Sequence, residues 1–263
     1  MMNSLTTALE FRGVTKGFSL PNSNDTQVAI NDVNFNVRPG EFVAIVGPSG
    51  CGKSTILNMT AGLYQPSSGE VYVSGQQVTN PNSHVGFMLQ KDLLLPWRTI
   101  VGNVEFGLEA RGMGKDERRD VALSELKRCH LEDFANHYPY QLSGGMRQRA
   151  ALARTLAINP DIILLDEPFS ALDAQTKLLL QQNFGETIQS TGVTTLLITH
   201  DLSEAVFMAD RILVLSERPA TVIEEIIVEL PDRGNLLARR KSPKASEYIS
   251  RLFELLKLEA RTL

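Results

Sequence analysis

Phe42-Val43-Ala44-Ile45-Val46-Gly47-Pro48-Ser49-Gly50-Cys51-Gly52-Lys53-Ser54-Thr55-Ile56-Leu57 decides the fold of this chain. The apolar run Phe42 to Val46 is rich in β-formers and reads as a buried strand. Gly47 to Ser54 then fits the phosphate-loop pattern G-x-x-x-x-G-K-[S/T] at every fixed position. From Thr55 to Ala61 the residues suit a helix whose positive end faces the loop. Each fixed residue has a physical task. The glycines let backbone N–H groups turn inward and approach phosphate oxygens. Lys53 supplies a point charge for the β- and γ-phosphates, and the Ser54 hydroxyl can ligate Mg²⁺. Cys51 lies inside the loop and has two readings. It is a small residue filling a tight turn, or a thiol whose pKa is lowered by loop dipoles and Lys53.

Upstream, residues 8–18 and 28–46 are strand-rich, with alternation in Val33-Asn34-Phe35-Asn36-Val37 and a polar loop at Pro21-Asn22-Ser23-Asn24-Asp25. Downstream, Pro66-Ser67-Ser68-Gly69 reads as a turn and Val71-Tyr72-Val73 as a short strand. Residues 91–157 change character to helix formers punctuated by glycines, with a charged helix expected over Glu117 to His130. Strand patterns return at Ile162 to Leu165, Thr194 to Ile198 and Arg211 to Leu215. Strands alternating with helices imply parallel βαβ units, so an α/β nucleotide-binding core interrupted by a helical insert is expected.

The whole composition fits this. The 263 residues are 43% hydrophobic and 21% charged, with net charge −4. An acidic balance gives no global pull toward nucleic acid, so any nucleotide must be held by a local site. Cys51 and Cys129, the two cysteines, suggest a reducing compartment without a disulfide framework. No apolar run approaches the about 18 residues that cross a bilayer, and no signal peptide is expected, so the chain reads as soluble and cytosolic. In the tail, Arg239-Arg240-Lys241 with Lys244 reads either as a solvated linker or as a nucleic-acid or lipid contact. Ser242 and Pro243 can then open a helix that packs on the core through Ile249, Leu252, Phe253 and Leu256.

Four later segments narrow the chemistry. Ile162-Ile163-Leu164-Leu165-Asp166-Glu167 is a strand ending in two carboxylates, the first suited to a Mg²⁺ shell and the second to polarising a water. Leu142-Ser143-Gly144-Gly145 precedes a helix expected over Met146 to Ala157 and forms a second anion site. Ser170-Ala171-Leu172-Asp173 follows the carboxylates, and Thr199-His200-Asp201 lies at a carboxyl strand end, where open α/β sheets bind ligands.

Together these residues resemble the nucleotide-binding subunit of an ABC transporter over roughly residues 9–230. Gly47 to Ser54 match Walker A, Gln90 the Q-loop glutamine, Leu142 to Gly145 the signature, and Asp166 with Glu167 Walker B and the catalytic glutamate. Asp173 matches the D-loop, His200 the switch histidine, and Phe18 the aromatic that stacks on adenine. Met146 departs from the pattern, standing where the signature often has Gln. The resemblance implies a P-loop ATPase core, mainly parallel sheet with an antiparallel β subdomain, spanning about 8–90 and 158–230. A helical subdomain of about 91–157 and a helical tail of about 231–263 complete it.

The resemblance implies ATP and Mg²⁺ as ligands. Gly47, Pro48, Ser49, Gly50, Cys51, Gly52, Lys53, Ser54 and Thr55 cradle the nucleotide. Ser54, Asp166 and Gln90 hold the metal, and Glu167, His200, Gln90 and Lys53 serve hydrolysis. Ser143, Gly144, Gly145 and Asp173 of a second copy close the site head to tail. It further implies integral membrane permease subunits, an extracytoplasmic solute-binding protein acting indirectly, no nucleic acid, and a peripheral place on the cytoplasmic face of the membrane. Leu94-Leu95-Pro96-Trp97-Arg98 and Gly144-Gly145-Met146-Arg147-Gln148-Arg149 look like the nitrate, taurine and aliphatic-sulfonate import ATPases. Members of that group also serve importers of thiamine-precursor pyrimidines. An exporter subunit is the nearer alternative. A DNA- or ribosome-acting ATPase is the more distant one, because only about 50 residues without heptads separate Gln90 from the signature.

Overall fold

In the computed structural model, residues 7–20 and 25–259 are described. Of the polar loop at Pro21 to Asp25, all but Asp25 lies outside the described residues. Two long strands open the chain, β1 (Leu9–Ser19) and β2 (Thr26–Val37), followed by β3 (Phe42–Val46), α1 (Lys53–Thr60), β4 (Ser68–Val73), β5 (Gln76–Gln77) and β6 (Val85–Met88). Four helices come next: α2 (Ile100–Val104), α3 (Phe106–Ala110), α4 (Lys115–Arg128) and α5 (Gly144–Ala157). The chain then alternates through β7 (Ile162–Asp166), α6 (Ala174–Thr191), β8 (Thr194–Ile198), α7 (Leu202–Met208), β9 (Arg211–Leu215) and β10 (Val222–Ile227), and ends in α8 (Leu236–Lys241) and α9 (Pro243–Glu259).

An antiparallel sheet of order β2-β1-β4-β5 faces a sheet of order β10-β9-β3-β8-β7-β6, parallel except where β10 runs against β9. Strands buried on both faces need continuous apolar runs, and alternation splits each run between two cores. Ile162, Leu164, Leu196, Ile198 and Leu213 point to the core shared with the antiparallel sheet. Ile163, Leu165, Leu197, Ile212 and Val214 point to the core shared with the helices. That second core runs without a break from the sheet into α2, α4 and α5 through Ile100, Val104, Leu126, Ala150 and Leu152.

Several expectations shift. The signature helix starts at Gly144, not Met146, because the Ser143 hydroxyl accepts from the Met146 N–H at 3.3 Å and caps it. Strand β4 begins at Ser68, inside the expected turn, where β1 supplies a partner: Ser68 pairs with Thr15. The charged helix begins two residues early, at Lys115. In the tail, Leu252 is buried and Ile249 and Leu256 pack against the core, but Phe253 is 51% exposed.

The basic stretch is neither linker nor patch. Arg239 is 1% exposed and donates to the carbonyls of Phe207 and Ala209 at 2.9 Å each, closing the carboxyl end of α7. Arg240 lies over the Phe207 ring and donates to Gln181, and Lys244 pairs with Glu229. No helix among the described residues is long and apolar enough to cross a membrane.

Candidate active site

The topology puts three strand ends side by side. β3 lies next to β8, and β8 next to β7. Their carboxyl ends lead into the phosphate loop, His200 and Asp166-Glu167 respectively. The Glu167 N–H donates to the Ile198 carbonyl at 2.9 Å, and the Thr199 N–H to the Ile45 carbonyl at 3.4 Å, so the three ends are stitched together.

The loop's shape depends on glycine. Gly52 has φ 127°, and a Cβ there would sit 2.7 Å from Ile30 Cγ2 on β2. Lys53 is buried and folds back, its Nζ donating to the carbonyls of Gly47 and Pro48 at 2.8 Å each. Ser49 and Gly50 are exposed at the tip, Pro48 and Thr55 half-buried. Ser54 Oγ is 3.5 Å from Asp166 Oδ1. Burial and the Glu167 carboxylate push the Asp166 carboxyl above its usual range, against the Ser54 hydrogen bond and the Lys53 charge. A carboxylate left short of positive charge beside an exposed hydroxyl is a donor set that suits a hard divalent cation. Among the described residues no group of three or more His, Cys, Asp or Glu could hold a metal.

Glu167 sits in the left-handed region at φ 47°, a conformation that costs a non-glycine residue roughly 1 kcal/mol. The turn brings Glu167 Oε2 to 3.1 Å from His200 Nδ1. Gln90 reaches the same place indirectly: its Nε2 donates to Ser170 Oγ at 3.0 Å, and that hydroxyl donates to the Glu167 carbonyl at 3.0 Å. Ser170 stood in a quoted motif without a role. Its signal in the sequence is its place three residues after Glu167, where a hydroxyl can fold back on the chain.

Cys51 settles between its two readings. It is 1% exposed, and burial raises its thiol pKa in spite of Lys53, so the lowered-pKa reading is overturned. Phe18 is half-buried, with its ring 5.5 Å edge-on from Tyr64 and Lys16 Nζ 5.2 Å from its centroid. Tyr64, 41% exposed, is the aromatic partner that sequence reading passed over.

Ser143, Gly144 and Gly145 stand elsewhere. Gly144 abuts Leu172, a Cβ at Gly145 would meet Thr176 Cγ2 at 2.8 Å, and the signature thus rests on the start of α6. Asp173 caps that helix, accepting from the Thr176 N–H at 3.0 Å, and this bond lowers its pKa. Among the described residues, no hydrogen bond joins Ser143, Gly144, Gly145 or Asp173 to the phosphate loop.

A profile described as "ABC transporter" matches residues 30–170. The taurine import ATP-binding protein TauB of Yersinia pestis is 46% identical over 205 residues, 78% of this chain and 80% of its own length. This chain belongs to the ABC transporter ATP-binding family. The nitrate import ATP-binding protein NrtD of Synechocystis is 42% identical over 235 residues, 88% of either chain. The solved dimeric post-hydrolysis state of the ATP-binding cassette MJ0796, bound to ADP and Pi, matches with TM-score 0.72 and 38% identity, covering 84% of this chain and 99% of that one. As an ABC transporter ATP-binding subunit, the chain binds and hydrolyses ATP.

Proposed function

We propose that the chain powers an importer of a small solute such as nitrate, taurine, an alkanesulfonate or a thiamine-precursor pyrimidine, and that hydrolysis is carried by Glu167 with His200. The observation that carries this is the pair itself: Glu167 Oε2 lies 3.1 Å from His200 Nδ1, at strand ends adjoining the phosphate loop. Glu167 takes the proton of the attacking water and His200 orients that carboxylate and the γ-phosphate. Lys53 leaves its carbonyl partners for the phosphates, and the N–H groups of Gly47 and of Ser49 to Thr55 complete the cradle around Pro48. Ser54, Asp166 and Gln90 would hold Mg²⁺, whose positive charge would offset that of the phosphates. Phe18, set against Tyr64, offers a ring to adenine.

Two copies pair head to tail, so that Ser143, Gly144, Gly145 and Asp173 of one close the ATP site of the other. The packing of Gly144 and Gly145 on Leu172 and Thr176 supports this, as does the dimeric state of the MJ0796 cassette. The core, the helical region 91–157 and the tail 231–263 act as three parts of one ATPase domain.

The stretch after Gln90 suits a membrane permease. Asn103, fully buried, binds the backbone of Leu95, Arg98 and Thr99, and Arg154 binds the carbonyls of Asp92 and Leu93. The held loop presents Leu89, Leu93 and Trp97, 41%, 55% and 72% exposed, as an apolar patch for a partner helix. The chain thereby sits peripherally on the cytoplasmic face and meets the external solute-binding protein only through the permease, with no role for nucleic acid. Import of taurine by TauB and of nitrate by NrtD supports the solute class.

The test is the assembled complex with its permease, assayed for ATPase stimulated by nitrate, taurine, an alkanesulfonate or a pyrimidine precursor. Glu167→Gln is expected to bind ATP with unchanged affinity and lose about 10² to 10⁴ in turnover. Turnover near that of the unaltered chain removes Glu167 from this role.

A further inference from the structure

We infer that Lys177 is a positioning residue for His200, holding the histidine loop through a closed ring of charged and hydroxyl groups. The inference rests on the reading of His200 given above. The His200 side chain is 59% exposed. Besides the Glu167 contact, its place is set by the backbone on either side, Thr199 and Asp201, and both are tied into one ring. Thr199 Oγ1 accepts from the Asp201 N–H at 3.0 Å and donates to Glu204 Oε2. Asp201 Oδ1 accepts from the N–H groups of Ser203 and Glu204 at 2.8 and 3.3 Å. Lys177 Nζ then bridges the two remaining carboxylate oxygens, Asp201 Oδ2 at 2.8 Å and Glu204 Oε1 at 2.5 Å.

Every member but one lies within residues 199–204. Lys177 alone comes from α6, one turn beyond Asp173, whose carbonyl accepts the Lys177 N–H at 2.9 Å. It is the cation hydrogen-bonded within the ring, while Arg240 nearby acts on Asp201 and Glu204 through its charge alone. Glu204 is 3% exposed, and a buried carboxylate stripped of its partner is costly. Burial opposes the Lys177 charge, yet the hydrogen bonds to Asp201 and Glu204 outweigh it and raise the pKa; for Asp201, burial opposes and the Lys177 hydrogen bond lowers it. Without Lys177, two carboxylates would face each other across the loop that carries His200, and the loop would open to solvate them. Because α6 starts at Asp173 and packs Thr176 against Gly145, the same lysine fastens His200 to the segment that carries the signature's support.

The test compares steady-state ATP hydrolysis and melting temperature of the full chain as Lys177→Met, Lys177→Arg, Thr199→Val, His200→Ala and the doubles with His200→Ala. Lys177→Met keeps length and removes charge. It is expected to lower kcat about tenfold or more while KM for ATP stays within about threefold, and Lys177→Arg to recover at least about half the rate. In the His200→Ala background Lys177→Met should change kcat by less than about twofold, since two residues acting as a unit are not additive. A purely structural lysine would lower the melting temperature and cost the same in both backgrounds, which overturns the inference. So does an arginine variant as slow as the methionine one. Should Lys177→Met fail to fold, Thr199→Val opens the ring from the other side. A kcat equal to the unaltered chain's overturns the inference, and a fall that disappears in the His200→Ala background supports it. If His200→Ala itself turns over normally, the reading of His200 fails and the inference with it. If His200→Ala is inactive while Lys177→Met and Thr199→Val are not slowed, the inference alone fails.

Discussion

Asp166 is held between stability and chemistry. Its carboxyl pKa is raised by burial and by Glu167, so the folded chain binds its proton more tightly than the unfolded chain does. Across the window from the ordinary aspartate range up to the raised value, the folded state carries the extra proton, and stability falls as pH rises. Above that window the destabilisation is complete. Asp166→Asn should therefore melt higher than the unaltered chain without nucleotide above that window, with the gain shrinking as pH falls into the carboxylate range. With ATP and Mg²⁺ added the order should reverse. Melting curves at several pH values, with and without ligand, check both signs. The loop between β3 and α1 was legible in the sequence, because the fixed spacing in Gly47 to Ser54 follows from backbone geometry. The states of its residues were not. That Lys53 binds two carbonyls, and that burial outweighs Lys53 at Cys51, depends on how β2 presses on the loop, which no local pattern encodes.

At the scale of elements, the tail shows what sequence reading could and could not give. Strands β7, β8 and β9 were legible, because residues buried on both faces leave an unbroken apolar run. The Arg239-Arg240-Lys241 stretch was not, because charge on paper says nothing of what it faces. In the fold Arg239 ends α7 by binding two of its last carbonyls, while Asp201 caps the other end through the N–H groups of Ser203 and Glu204. Arg239→Ala leaves those carbonyls without a donor and opens a void at a fully buried site. It should cost about 2–4 kcal/mol of unfolding free energy in urea titration. A loss below about 0.5 kcal/mol, ordinary for surface substitutions, would show that the helix end needs no such closure.

At the scale of the whole molecule, the start of α5 matters most. Gly144 and Gly145 lie in its first turn and Ser143 caps it, so the signature presents a helix N-terminus outward while resting on Leu172 and Thr176. A bulky cation at Ser143 would block whatever approaches that end and leave the chain's own phosphate loop untouched. In a Glu167→Gln background, Ser143→Arg should bind ATP as a monomer and form no ATP-dependent dimer, as read by light scattering after gel filtration. A dimer of unchanged stability would place the second half of the site elsewhere. The sequence could order the motifs and show the change to helix formers at 91–157, but it could not place the helices, because Ile100, Leu126 and Leu152 share one core with Ile163 and Leu197, and no local pattern says which helix face meets which strand.

Trp97 is the only tryptophan in 263 residues, and it stands 72% exposed on the patch after Gln90. The chain therefore carries its own optical label at one chosen spot. Emission excited through indole comes from that patch alone, free of background from the cores. Water around the ring keeps the spectrum to the red, and any apolar surface laid over it moves the spectrum to the blue. The proposed covering of this patch can thus be followed in unmodified protein, apart from events at the phosphates, by the colour of a single side chain.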